Sequence, residues 1–253
     1  MSLKTKAKKL ALLITNPDIL FYKKKYLFIY SHMRSRSSVL SHILGSNPEV
    51  CGYKELHLSY KGYRSLINMQ IKLAKDLKCK FRNKYLLDKI LNNYTISDTI
   101  LNKKQLKILF LLRAPEETMK SIMNMGIKTG VKWYKDPEKV VSYYCERLRN
   151  LEELSYRAGE GNLFIESKDL IDNSEDTLKK ISYWLQLKEP LKTTYSTFRD
   201  TGTIGFGDPL GHIKSGVLKA TVGYSNIHIP EHLLKKANES YEKCKLTLIN
   251  NIK

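Results

Sequence analysis

Three short stretches hold residues whose types and spacing can do chemistry. Residues 31–38 read S-H-M-R-S-R-S-S, with two arginines and the hydroxyls of Ser35, Ser37 and Ser38 beside them. Such a cluster at a helix start offers unpaired amides, the positive dipole end, guanidinium charge and hydroxyl donors to one anion. Residues 111–121 read L-L-R-A-P-E-E-T-M-K-S, placing Arg113 at the end of an apolar run and Ser121 eight residues later. Residues 52–57, G-Y-K-E-L-H, offer Glu55 and His57 as proton acceptors. Each stretch also has a plain local reading. Ser37 fits a helix cap flanked by solvated arginines, Arg113 a cap or salt bridge, Ser121 a surface position, and Glu55 a partner for Lys54 or another lysine.

Common nucleotide signatures are missing. The pattern G-x-x-x-x-G-K-[ST] is absent and no glycine occurs from Ser31 to Leu44, which disfavours an ordinary ATPase or GTPase. No G-x-G-x-x-G opens the first helix, which argues against a dinucleotide fold. The four cysteines (Cys51, Cys79, Cys145 and Cys244) form no C-x-x-C pair. No zinc site is expected, and reduced, mostly buried thiols in a cytoplasmic protein are the default reading.

The elements that must position these residues alternate between strand and helix. Tyr26–Ser31 and Leu106–Leu112 are short, apolar and rich in β-formers, and predict buried strands. Val50–Leu56, Tyr85–Leu91 and Asn162–Ser167 predict further strands. Helices are expected over Ser37–Gly45, Ser65–Lys78, from Pro115, over Asp136–Tyr156, over Ser174–Leu187 with Ser174 as its cap, and from Pro230. Gly202–Gly216 is glycine-rich and reads as a loop. Apolar strands without alternation, separated by helices, predict an α/β fold with a central parallel sheet flanked by helices. Ligands of such sheets sit beyond the carboxyl ends of the strands, where the stretches after Ser31 and Leu112 fall.

The chain has 253 residues and 44 Lys plus Arg against 25 Asp plus Glu, a net charge of +19. A lysine-rich composition on solvated faces accounts for such an excess, and so does an anionic partner: a nucleotide, a polyanion or an acidic membrane surface. Residues 1–25 read as a basic N-terminal extension and 26–253 as a single domain. The apolar run in the extension, LALLI, is too short for a membrane span.

A strand followed by R-S-x-S-S-x-L, then a later strand followed by R-x-P with a serine eight residues after the arginine, resembles the sulfotransferases that use 3′-phosphoadenosine 5′-phosphosulfate (PAPS). The segment RSRSSVLSHILGSNPEVCGYKELH is most similar to the bacterial and carbohydrate branches of that family, and weaker likeness runs through LLDKIL, FIESKDL and the GDP at Asp208. The resemblance implies a P-loop-like sulfotransferase fold. It implies that Arg34, Ser35, Arg36, Ser37 and Ser38 hold the 5′-phosphosulfate and that Arg113 and Ser121 hold the 3′-phosphate. Lys214, in the late glycine-containing loop, is expected near that phosphate. Glu55 is the implied base and His57 the second candidate; Lys89 is placed near the acceptor or the sulfonate, and as aromatics Trp133 and Tyr134 are candidates to bind the acceptor. No metal is implied, because arginines take its role. The acceptor implied is a hydroxyl or amine of a saccharide or glycolipid, and no nucleic acid is expected. Arg36 departs from the family pattern, standing where glycine is usual. Two rival readings are a basic protein that binds nucleic acid or another polyanion, and an inactive homologue.

Overall fold

The computed structural model describes residues 24–77, 80–203, 212–219, 224 and 226–252. Most of the expected extension, the GDP at Asp208 and Cys79 lie outside the described residues. The elements are β1 (Lys25–Ser31), α1 (Ser37–Gly45), β2 (Val50–Cys51), α2 (Tyr63–Leu77), β3 (Tyr85–Ile90), α3 (Asp98–Leu101), β4 (Leu106–Leu112), α4 (Pro115–Thr129), α5 (Pro137–Ala158), β5 (Leu163–Glu166), α6 (Asp169–Asp172), α7 (Ser174–Leu185) and α8 (Glu231–Asn251), with 3₁₀ turns at Lys132–Lys135 and His212–Ser215.

The strands form one parallel sheet in the order β2-β3-β1-β4-β5. Its central strand is β1, apolar at successive positions because both faces are covered. Phe28 and Tyr30 point into a core shared with α2, α4, α5 and α8. Leu27 and Ile29 point into a second core with α1 and α7. The path from β1 goes first towards β2 and later returns to β4 on its other side. The loops after β1 and β4 therefore diverge and leave a crevice between them, the place where open parallel sheets bind ligands.

A buried arginine holds the carboxyl ends of β1 and β3 together. Arg147, on α5 and only 3% exposed, donates from Nε to the Ser31 carbonyl and from Nη2 to the Ile90 carbonyl, both at 2.8 Å. Its guanidinium also lies over the Tyr30 ring at 5.9 Å. One planar fork thus binds the end carbonyls of two neighbouring strands.

Several sequence expectations shift. β2 covers only Val50–Cys51 rather than Val50–Leu56, because Gly52 takes φ 133° and a Cβ there would stand 2.3 Å from the Leu87 carbonyl oxygen. The chain leaves the sheet at that glycine, which frees Glu55 and His57 to sit over the strand ends. Ser174 does not cap α7; Asn173 occupies that position. Asp136 caps α5, accepting from the Glu138 and Lys139 amides. α7 ends at Leu185, where Gln186 turns left-handed. The all-thiol expectation holds at Cys145 and Cys244 but not at Cys51, which is disulfide-bonded. Among the described residues no helix is long and apolar enough to cross a membrane.

Replacing Arg147 with methionine keeps the bulk and removes the donors, leaving the Ser31 and Ile90 carbonyls buried. Unfolding free energy from urea titration is expected to fall by about 3 kcal/mol; a loss below about 0.5 kcal/mol would contradict the assigned role.

Candidate functional site

The segment between β1 and α1 is short and sharply bent. Arg34 and Arg36 both adopt left-handed backbone, with φ 62° and 68°. Arg36 therefore takes, as a side-chain-bearing residue, the conformation glycine adopts freely, at a cost of about 1–2 kcal/mol. Its side chain holds it there: Nη1 reaches the Ser167 carbonyl at 3.3 Å and the Ser167 hydroxyl at 3.2 Å, while Nη2 reaches Glu117 Oε2 at 3.1 Å. No side chain caps α1. Ser35 is fully buried, and its Oγ has no hydrogen-bond partner among the described residues. A buried orphan hydroxyl inside a cationic turn fits a loop shaped for a ligand.

The second stretch meets the first. Arg113, 5% exposed, donates from Nη1 to the Arg34 carbonyl at 2.8 Å, and from Nε and Nη2 to Glu117 Oε2 at 3.0 and 2.9 Å. Arg34 Nε donates to Ser121 Oγ at 2.9 Å, and the Tyr224 hydroxyl lies 3.3 Å from the same oxygen. Residues that the sequence separates by about eighty positions thus form one polar cluster over the β1–β4 crevice. Glu117 and Tyr224 belong to it and were not singled out from the sequence. Glu117 was readable in principle, since it lies one helical turn after Arg113. Tyr224 carries no local signal.

His32 stitches the two loops from beneath. Fully buried, its Nε2 accepts the Arg113 amide at 3.0 Å, so its Nδ1 carries the proton and donates to the Met33 carbonyl at 2.9 Å. Burial, together with the Arg113 and Arg147 charges, pushes the imidazole down to about 3. The ring is therefore a neutral spacer and not a proton shuttle. Tyr144 donates to the Arg113 carbonyl at 2.7 Å, and Tyr143 accepts the Met33 amide at 2.9 Å.

The third stretch completes the site. Lys89 is fully buried at the end of β3 and donates to Ser38 Oγ at 2.7 Å, with Glu55 Oε1 at 3.7 Å. Burial lowers its affinity for a proton, and the Glu55 and Asp88 charges oppose that. Lys89 is thus the physical link between the turn after β1 and Glu55. Glu55 is 8% exposed; Asn92 Nδ2 lies 3.4 Å and His57 Nδ1 3.9 Å from its Oε2. The Lys54 pairing does not form, because Lys54 turns to Asp76 and Asp200. His57 is more open, with its Nδ1 3.3 Å from the Tyr94 hydroxyl. Asp88 faces away from Lys89, accepting the Leu56 amide at 2.8 Å and the Tyr60 hydroxyl at 2.5 Å. Burial raises its carboxyl to about 7. Asp88 holds the backbone beside Glu55, a role the sequence reading did not assign.

Of the remaining expected residues, Ser37, Trp133 and Tyr134 lie beside this centre, whereas Lys214 packs against Gly202. Ser37 is buried in the first turn of α1. Trp133 and Tyr134 pack edge to face at 4.3 Å, and the Tyr134 hydroxyl reaches Met33 Sδ at 3.7 Å, beside the turn. Lys214 is exposed, its stem close enough to Gly202 that a Cβ there would stand 2.8 Å from Lys214 Cε. Gly202 follows Thr201, whose Oγ1 lies 2.9 Å from Nε2 of His42 on α1.

No family model and no curated protein matches the chain. Solved structures do. The sulfotransferase domain of the Synechococcus PCC 7002 olefin synthase is 19% identical, with a TM-score of 0.59 over 88% of this chain and 96% of that one. The sulfotransferase domain from the curacin biosynthetic pathway is 18% identical, with a TM-score of 0.61 over 88% of this chain and 98% of that one. The chain therefore has the sulfotransferase fold, as its parallel five-stranded sheet and flanking helices also indicate.

The neutral, buried His32 makes stability depend on pH. Its proton affinity is depressed in the fold, so its contribution is present above the unfolded value of about 6.5 and is lost as pH falls towards 3. His32→Gln keeps an acceptor and a donor but cannot titrate. The wild type is expected to lose about 2 kcal/mol more than the variant between pH 7 and pH 5. Parallel stability–pH curves in urea titrations would refute the assignment.

Proposed function

We propose that this chain is a sulfotransferase that moves a sulfuryl group from PAPS to a hydroxyl, or an amine, of a saccharide or glycolipid acceptor, with residues 26–253 as one catalytic domain. The observation that carries the reading is the convergence of three separate stretches on one crevice. Arg34 reaches Ser121, Arg113 reaches the Arg34 backbone, and Lys89 spans Ser38 and Glu55. The fold and the R-S-x-S-S-x-L and R-x-P patterns support the same reading.

The residues present fit such a co-substrate. When bound, PAPS supplies the sulfuryl group and its phosphate leaving group. The hydroxyls of Ser35, Ser37 and Ser38 and the cations Arg34 and Arg36 would surround its 5′ end, and Arg113 with Ser121 its 3′-phosphate. Arg34 and Lys89 place positive charge where negative charge develops on the leaving phosphate. Glu55 is the base: it sits at the mouth of the same crevice, and Lys89 holds one of its oxygens while the other faces Asn92 and His57. From there it can take the proton of an acceptor hydroxyl. The acceptor wall is aromatic, with Trp133, Tyr134 and Tyr143 grouped near Met33. Such rings suit the apolar face of a sugar.

Two measurements test this. Calorimetric titration with 3′,5′-adenosine bisphosphate is expected to show micromolar or tighter binding, weakened about a hundredfold by Arg113→Ala. No binding at high protein concentration would sink the nucleotide assignment. Glu55→Gln is expected to lower sulfuryl transfer by at least about 10² while leaving bisphosphate affinity unchanged; retained turnover would move the role of base to His57 or elsewhere.

A further inference from the structure

Arg113 is not idle in the ligand-free chain. Its Nε and Nη2 are both directed at one carboxylate oxygen of Glu117, and its Nη1 at the Arg34 carbonyl. The same Glu117 oxygen accepts from Arg36 Nη2. A single anionic oxygen thus takes three charge-assisted hydrogen bonds from two guanidiniums, one of them almost wholly buried. That oxygen occupies the fork through which Arg113 would hold a phosphate.

We infer that Glu117 is a built-in anion that fills the 3′-phosphate cradle and is displaced when the nucleotide arrives, so that it sets nucleotide affinity. The inference rests on the functional reading above. Four observations support it. First, the cations are anchored independently of Glu117: Arg113 by the Arg34 carbonyl, and Arg36 by Ser167. They stay in place when the carboxylate leaves. Second, the Glu117 side chain is half exposed, at 51%, whereas that of Arg113 is 6% exposed. The carboxylate can swing into water and the guanidinium cannot. Third, neighbouring Glu116 forms an ordinary surface pair with Lys120 at 2.7 Å. The pairing of Glu117 with a buried cation is therefore not a general feature of this helix face. Fourth, Ser121 lies one turn further along the same helix, and the Tyr224 hydroxyl stands 3.3 Å from its Oγ. A phosphate has enough oxygens to engage the Arg113 fork and these hydroxyls together, and a carboxylate does not. Burial alone would raise the Glu117 carboxyl; the Arg113 and Arg36 contacts hold it below its ordinary range, so it is charged at neutral pH.

If Glu117 instead braced Arg113 and remained in place, removing its charge would loosen the cradle and weaken binding. Displacement predicts the reverse. The test compares the full chain with its Glu117→Gln and Glu117→Asp variants by calorimetric titration. The ligands are 3′,5′-adenosine bisphosphate and AMP, which lacks the 3′-phosphate. Glu117→Gln is expected to bind the bisphosphate about tenfold tighter than wild type, with Glu117→Asp between them and a clearly smaller gain for AMP, whose 5′-phosphate meets Arg36 and not Arg113. The melting temperature of the ligand-free Gln variant should fall and its rise on adding bisphosphate should grow. Equal or weaker bisphosphate binding by Glu117→Gln, with wild type binding normally, overturns the inference alone. A gain shared equally by AMP overturns it too, by taking the effect away from the 3′-phosphate. Absence of bisphosphate binding in every protein overturns the inference together with the functional reading. If Glu117→Gln does not fold, the aspartate variant decides: its shorter reach withdraws the carboxylate, and affinity must still rise.

Discussion

The site depends on one strained turn. Between β1 and α1 the chain reverses through two left-handed arginines, Arg34 and Arg36. Neither residue type favours that backbone, so the turn persists only because its surroundings over-determine it. The Arg34 carbonyl is held by Arg113, the Met33 amide by Tyr143, and the Met33 carbonyl by His32; the Arg36 side chain is held by Ser167 and Glu117. These partners lie just beyond the ends of β1, β4 and β5 and on α4 and α5. Each is itself anchored to the sheet or packed in the core beside it. The rest of the fold reads as the frame that keeps this turn bent.

That frame uses buried charge sparingly and in defined places. Arg147 closes the ends of β1 and β3, Lys89 projects from β3 towards Ser38 and Glu55, and Asp88, one residue earlier, turns back to fix the Leu56 amide. Successive residues on a strand point to opposite faces. The pair Asp88–Lys89 uses that alternation: one side chain positions the backbone beside Glu55, and the other carries charge to the turn after β1. An ion pair between the two would have satisfied both and positioned neither.

The sequence made the sheet legible because burial on both faces leaves apolar runs that no surface strand would carry. It singled out Arg34, Arg36, Arg113 and Ser121, which the fold brings into one cluster. It misjudged β2, since the extent of that strand depends on the close approach of Gly52 to Leu87, a tertiary contact. It left Glu55 between an ion pair with Lys54 and a place in the crevice. The answer lies in Asp76 and Asp200, which draw Lys54 away from positions far along the chain. His32 and Tyr224 went unremarked for the same reason. Their roles come from groups at a distance in sequence, and a lone histidine or tyrosine announces nothing locally.

Arg36 shows how a departure from pattern can be read physically. Glycine would take the left-handed conformation freely, but it would leave the loops after β1, β4 and β5 untied at this point. Arginine accepts backbone strain and ties all three through Ser167 and Glu117. It also changes the charge balance. Three guanidiniums now share the crevice with one nearby carboxylate, while the buried Lys89 lies between Ser38 and Glu55. The crevice thus carries more positive charge than its own carboxylates neutralise. A field of that sign, confined between apolar walls, favours a ligand with several negative charges over one with a single charge.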